Sequence, residues 1–391
     1  MDDEKFIDSV VYSMETVNPS RNKYLVGLFE NNYVSKYPRL NDRLFIAKYG
    51  SKLYSDILGD LNSYQAVVIH LMNEPKFRIL KTAPAGIRFV WNIWGMDFYG
   101  LLSPTEYPLY DEQTELYLVK RASRTYLDYS IRSSFLFKFY IHYKKKLQRY
   151  ISKKYYRKIS FYSTVLPEEK ALVNKHLDLP ASYVPFSYGF TDEQISAAIS
   201  YKEVMDTQNV FLGNSGTPAN NHINLISRLS KFNLKNRRVL TPLSYGDKEY
   251  IYDLIKFGRG RLRNNFEPII DFMPFHEYIK RLKTCKVCIM GHYRQQGVGN
   301  IILMILFGAK VYLSTRNPFY KFCIKRGMRI FSIENDLMSL SHDLFSEISS
   351  AEVRQNKKAI LEYFGQNAVL ERNRKFIEKI SASNGLAKDP H

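Results

Sequence analysis

The stretch Phe211-Leu212-Gly213-Asn214-Ser215-Gly216-Thr217-Pro218 decides the architecture. A short apolar run ends in a glycine-bearing polar turn, and a segment of helical period opens near Asn220. Strand, turn and helix in that order make one arm of a βαβ unit. Backbone N–H groups at such a turn, with the dipole of the following helix, attract an anion. Gly213 and Gly216 let a phosphate approach with no Cβ in the way. Asn214 and Ser215 stand between them, and we read the whole turn as a diphosphate cradle, with an ordinary βα turn as the plain alternative.

Outward from this turn the same alternation continues. Strands are expected near Val210–Leu212, Val239–Leu243, Ile269–Phe272, Val287–Met290, Val311–Leu313 and Arg329–Phe331, and upstream near Ala66–Met72, Arg88–Ile93 and Ile159–Val165, with helical segments between. That pattern predicts an α/β protein with parallel sheets. A chain of 391 residues exceeds one ordinary core and suits two Rossmann-like domains. The polar segment Asp192–Asn209 sets the boundary, giving residues 1–205 as an acceptor-side domain and 206–391 as a donor-side domain. The final amphipathic stretch Asn356–Ser381, with Ile360, Phe364, Val369, Phe376 and Ile380 at helical spacing, can pack back on the first domain.

A second glycine-flanked helix start is Arg294-Gln295-Gln296-Gly297-Val298-Gly299-Asn300, after the strand ending at Met290. A guanidinium and two amides there supply charge-assisted donors that match a pyrophosphate leaving group, so Arg294 is the candidate leaving-group stabiliser. The bland alternative is a structural glycine turn. In open α/β sheets ligands sit outside the carboxyl ends of the strands, so both loops are expected to face one crevice. The loop Thr241–Gly246 adds Ser244 and Tyr245 to its rim. Asn317-Pro318-Phe319 follows another strand and is a candidate for holding sugar or ribose through Asn317, although Asn-Pro is first a turn signal.

In the first domain, Phe89–Tyr99 contains both tryptophans and ends in Trp94-Gly95-Met96-Asp97-Phe98-Tyr99. Aromatic faces such as Trp94 and Tyr99 suit an acceptor sugar, and a carboxylate at a strand end can take a hydroxyl proton. Asp97 is therefore the candidate general base; a helix-capping Asp beside core tryptophans is the alternative. Cys285 and Cys288 have metal-like spacing but sit on a core strand without a second pair, and read as buried thiols. The scattered histidines, His70, His222 and His292 among them, show no metal-ligand spacing and read as structural or surface residues.

The formal net charge is +19 and aromatic residues make up 15% of the chain, which points to an anionic partner. The charge concentrates from His142 to Lys158, where Lys144, Lys145, Lys146, Arg149, Lys153 and Lys154 alternate with tyrosines. Such a mix suits an anionic membrane surface, with Phe135–Ile141 dipping into the headgroups. It would also attract nucleic acid, but no nucleic-acid motif accompanies it. A start lacking a signal peptide, no apolar run of spanning length and only three cysteines predict a cytoplasmic chain, peripheral on the inner face of a membrane.

With Trp-Gly-x-Asp-x-Tyr, Gly-Asn-Ser-Gly and Arg-Gln-Gln-Gly-x-Gly standing in that order, the chain resembles the transferases that move 4-acetamido-4,6-dideoxygalactose from a dTDP donor to the lipid II of enterobacterial common antigen. The matching stretches are Phe89–Tyr99, Leu212–Ile223, Val239–Tyr250 and Phe275–Phe319. The resemblance implies a GT-B architecture, two Rossmann-like domains facing across a cleft, with the nucleotide sugar on the second domain. It implies an undecaprenyl diphosphate-linked saccharide as acceptor and no obligatory metal or other cofactor. It places Trp94, Gly95, Asp97 and Tyr99 on the acceptor side, and Gly213–Gly216, Arg294–Gly297, Gly299, Asn317 and Pro318 on the donor side. The basic region around residues 120–158 departs from the family pattern. Another hexose of capsule or O-antigen synthesis stays open as the sugar, and a noncatalytic membrane- or nucleic-acid-binding protein with a vestigial Rossmann pair is the rival reading.

Overall fold

The computed structural model describes residues 4–29, 40, 42–188, 208–339 and 343–382. Its contacts divide the chain into two compact units, one of Met1–Leu101, Leu147–Thr191 and Phe364–His391, the other of Leu102–Lys146 and Asp192–Tyr363. The division is thus not a single cut: the chain passes between units after Leu101, inside the helix Phe135–Tyr156, after Thr191 and again before Phe364. The expected boundary at residues 205 and 206 lies outside the described residues.

In the first unit, β1 (Tyr24–Leu28) and β2 (Leu44–Lys48) form a parallel pair. A second parallel sheet has the order β3 (Val67–His70), β4 (Phe89–Ile93), β5 (Ile159–Thr164), β6 (Ser182–Tyr183). All five residues of β4 are buried, as a central strand covered on both faces requires. The helices Glu4–Val17 and Gln366–Ser381 pack in this unit, burying Ile7, Val10, Val11, Phe376 and Ile380. Asn373, between them, donates to Ser13 Oγ at 2.6 Å and to the Ser187 carbonyl at 3.0 Å. The expected single last helix is two, Ser350–Phe364 and Gln366–Ser381, because Gly365 takes an extended ψ of 152°.

The second unit is built on β7 (Asn209–Leu212), β8 (Val239–Pro242), β9 (Phe266–Ile269), β10 (Cys285–Met290), β11 (Lys310–Leu313) and β12 (Phe331–Ser332). All neighbours are parallel, in the order β12-β11-β10-β7-β8-β9. Counted from β7 this is the doubly wound order 6-5-4-1-2-3, and its direction reverses between β7 and β10. The strands are near-continuous apolar runs because helices cover both faces. The helix Val298–Leu306 is sunk in that packing, with Ile301 through Leu306 all buried. The strand expected at Ile269–Phe272 lies upstream at Phe266–Ile269; the apolar Ile270 and Phe272 that suggested it are exposed, Phe272 at 92%.

Candidate functional site

The loops after β7 and β10 meet at the reversal point. Gly213, at φ +74°, turns the chain out of β7, and a Cβ there would sit 2.3 Å from His222 Nε2, so only glycine fits. Asn220, fully buried, staples the turn from inside: its Oδ1 accepts from Asn214 N at 2.8 Å, and its Nδ2 donates to the Ser215 and Thr217 carbonyls at 3.0 and 3.1 Å. Asn221 takes the left-handed conformation and donates to the Gly291 carbonyl at 2.8 Å, tying this turn to the end of β10.

Side chains then bridge the loops directly. Gln296 Nε2 lies 3.4 Å from Ser215 Oγ and 3.3 Å from Thr217 Oγ1. Asn300 Nδ2 donates to Asn214 Oδ1, and Asn214 Nδ2 donates to the Tyr245 hydroxyl at 3.2 Å. Gly216 N donates to the Tyr245 carbonyl at 2.8 Å, which brings in the third loop, with Ser244 partly buried at its edge. The helix from Val298 starts at Gly297, φ +64°, with no side-chain cap and no acid in its first turn, which contains Gly299. An uncapped helix start of this kind carries N–H groups and a positive dipole end that attract negative charge. Arg294 stands on the same loop, donating to the Gln295 carbonyl at 3.2 Å.

Four polar atoms here are sealed from solvent without a protein partner: His222 Nε2, His292 Nε2, Gln295 Oε1 and Gln296 Oε1. A buried polar atom left unpaired costs about 1–3 kcal/mol, so these four weigh against stability at this edge of the sheet. Burial pushes both imidazoles down to about 3, for His292 with help from the Arg294 charge, so both are neutral.

The first unit gathers a second polar cluster at the carboxyl edge of its sheet. Asp97 accepts from Met72 N at 2.9 Å, Trp91 Nε1 at 2.8 Å and Trp94 N at 3.1 Å. Burial raises its pKa while those hydrogen bonds oppose the rise. Trp94 Nε1 donates to the Tyr188 hydroxyl, which lies 2.6 Å from His70 Nδ1. Lys76, buried, donates to the His70 and Leu71 carbonyls at 2.6 and 3.1 Å. Asn92, also buried, has neither amide atom hydrogen-bonded. His70, Lys76, Asn92 and Tyr188 escaped the sequence reading because they come from separate segments; only the fold brings them to Asp97.

Several expected roles are corrected. Tyr99 is 2% exposed and its hydroxyl donates to Glu169 Oε1 at 2.9 Å, so it is a core residue rather than an acceptor contact. Asn317 is fully buried; it caps the helix Pro318–Lys325 by accepting from Phe319 N, and donates to the His292 carbonyl, which leaves nothing for a sugar. Of the six cations assigned to a membrane face, Arg149 donates to the Leu101 carbonyl at 2.6 Å, which turns it into the protein, while Lys153 forms a surface pair with Asp178 at 2.5 Å. Lys144, Lys146 and Lys154 are exposed and Lys145 is half-buried. Cys285, Cys288 and Cys323 are buried thiols not joined in disulfides. Among the described residues no three His, Cys, Asp or Glu side chains group as a metal site, and no helix is long and apolar enough to cross a membrane.

Two parallel α/β units, the second doubly wound, make up the GT-B fold. Solved structures of that fold align over nearly the whole chain. They include a glycosyltransferase from Rickettsia africae (TM-score 0.60, 11% identity, covering 96% of this chain and 95% of that one). Sucrose-phosphate synthase from Thermosynechococcus elongatus aligns with TM-score 0.62 and 9% identity, covering 96% and 93%. Anabaena HepE in complex with UDP and glucose aligns with TM-score 0.53 and 12% identity, covering 97% and 94%. The family model for 4-alpha-L-fucosyltransferase, glycosyl transferase group 56, matches residues 129–369, more than half of the chain. The chain belongs to that family of glycosyltransferases.

Proposed function

We propose that this enzyme moves 4-acetamido-4,6-dideoxygalactose, or a closely related hexose, from a dTDP donor to an undecaprenyl diphosphate-linked saccharide at the inner face of a bacterial membrane. The observation that carries the donor half is the meeting of three loops at the β7/β10 reversal, where the uncapped Val298–Leu306 helix start and Arg294 stand together. A diphosphate held there faces helix N–H groups and a guanidinium, and these supply the charge that stabilises a departing nucleoside diphosphate without a metal. HepE, of the same fold, binds UDP and glucose, which supports a nucleoside diphosphate as the ligand class. The group 56 family match and the motif order of the common-antigen transferases support a 6-deoxy sugar and a lipid-linked acceptor.

The test has two arms. Melting temperature is measured with dTDP and with UDP, since a ligand of the folded state must raise it. Transfer from dTDP-4-acetamido-4,6-dideoxygalactose to a lipid-linked disaccharide is then assayed for the wild type and Arg294→Ala. Loss of about 100-fold or more in kcat with an unchanged melting temperature is the expected outcome. Full activity in Arg294→Ala removes it from the mechanism, and the absence of any nucleotide shift removes the site.

A further inference from the structure

We infer that His70, not Asp97, takes the proton from the acceptor hydroxyl. This rests on the reading of the reaction as direct sugar transfer from a nucleoside diphosphate. A carboxylate offers about four acceptor positions. Those of Asp97 are taken by Met72 N, Trp91 Nε1, Trp94 N and its own amide. To receive a substrate proton it would have to release one of these. It is the clamp that joins the ends of β3 and β4.

His70 is arranged differently. It is the last residue of β3, at the carboxyl edge where ligands of parallel sheets bind. Its Nδ1 is held by the Tyr188 hydroxyl, itself fixed by Trp94 Nε1, and its ring packs edge-on to Trp94, Phe186 and Tyr188. Nε2 has no hydrogen-bond partner among the described residues. The next residue, Leu71, sits at φ +55°, a conformation costly for a side chain, and is held there by Lys76. Strain fixed by surrounding contacts is characteristic of functional sites. With the ring proton on Nδ1, donated to the Tyr188 oxygen, Nε2 carries the lone pair. Asn92, whose amide atoms are buried without a hydrogen bond, lies beside the same hydroxyl. Burial keeps the imidazole neutral.

In the step, the acceptor O–H bond breaks and its proton passes to His70 Nε2. The acceptor oxygen bonds to the donor's anomeric carbon, and the bond from that carbon to the diphosphate oxygen breaks, its electron pair leaving with the nucleoside diphosphate. This is a single displacement and inverts the anomeric centre.

The experiment compares wild type, His70→Asn, His70→Gln, His70→Ala and Asp97→Asn, using dTDP-4-acetamido-4,6-dideoxygalactose and a lipid-linked disaccharide. The His70 variants are expected to lose about 100-fold or more in kcat, with donor KM and the melting shift given by dTDP unchanged. Free imidazole is expected to restore part of the turnover of His70→Ala, which a structural role would not allow. His70→Asn keeping more than about a third of wild-type kcat overturns the assignment. So does a folded Asp97→Asn without activity beside an active His70→Asn, a product of retained configuration, or His70 variants that all unfold. A wild type that transfers no sugar fails the glycosyl-transfer reading and takes His70 with it; an active wild type with active His70 variants fails His70 alone.

Discussion

Asn300 Nδ2 donates to Asn214 Oδ1 at 2.9 Å, joining the helix that follows β10 to the turn that follows β7 across the reversal of the sheet. The same Asn214 reaches Tyr245 through its Nδ2 and is held at its amide by Asn220. One side chain thus sets the spacing of three loops, which is the width available to a diphosphate. Asn300→Ala is expected to cost about 1 kcal/mol of stability and to weaken dTDP binding by roughly tenfold, a calorimetric measurement. Unchanged affinity would show that the loops keep their spacing without the pair.

Gly213 tests the same turn from beneath. Alanine there must adopt φ +74° and place Cβ 2.3 Å from His222 Nε2. Gly50, at φ +79° with open space around it, is the control that carries only the backbone penalty. Gly50→Ala is expected to cost about 1 kcal/mol and Gly213→Ala about 1–3 kcal/mol more, read from urea unfolding midpoints. Equal losses would mean that His222 moves aside freely.

The two buried imidazoles predict a pH dependence of stability. His222 and His292 lie near 3 in the folded chain, against about 6.5 when unfolded. Both states are neutral above about 6.5; below it the unfolded chain binds protons that the folded chain refuses, so stability falls with pH toward 3. Each histidine contributes a slope that approaches about 1.4 kcal/mol per pH unit well below 6.5, and about 1.4 kcal/mol in all between pH 7.5 and 5.5. A His222→Asn variant, which cannot titrate, should show the shallower decline. An identical slope would show that His222 protonates in the folded state.

How far these features were legible follows from where each signal lay. Gly213–Gly216 and Arg294–Asn300 are contiguous, each follows a buried apolar run, and local chemistry alone marked them; the doubly wound second sheet was readable for the same reason. Tyr99 and Asn317 misled because an aromatic or an amide at a strand end looks the same whether its polar atom meets ligand or, as here, Glu169 and the His292 carbonyl. The first unit was harder: β1 and β2 are five residues each, and the helix Gln366–Ser381 enters its core from the far end of the chain. His70 was passed over because a lone histidine at the end of an apolar run carries no mark of Tyr188, 118 residues away.

The basic segment is also apolar on its surface, and that combination makes the membrane prediction specific. Tyr126, Leu127 and Ile131 on the helix Tyr126–Ser133, with Phe135, Leu136, Phe139, Tyr140 and Tyr143 on the next, are all exposed, Leu136 at 79%. Phe135, Phe139 and Tyr143 touch in succession, with ring centroids 6.1 and 4.7 Å apart, so they form a stripe rather than scattered side chains. Nearby, Arg132 is paired with Asp128 and Lys138 with Glu115, which leaves Lys144 and Lys146 as exposed cations beside the stripe. An anionic bilayer satisfies both halves, apolar side chains entering the headgroup layer and lysines meeting phosphates at about 1 kcal/mol each. The full chain is therefore expected to sediment with phosphatidylglycerol vesicles and not with pure phosphatidylcholine. Lys144→Gln with Lys146→Gln should lower partitioning by roughly tenfold, and Leu136→Asp should abolish it at an unchanged melting temperature. Undiminished binding of Leu136→Asp would mean that charge alone holds the chain to the surface and that the aromatic stripe faces something else.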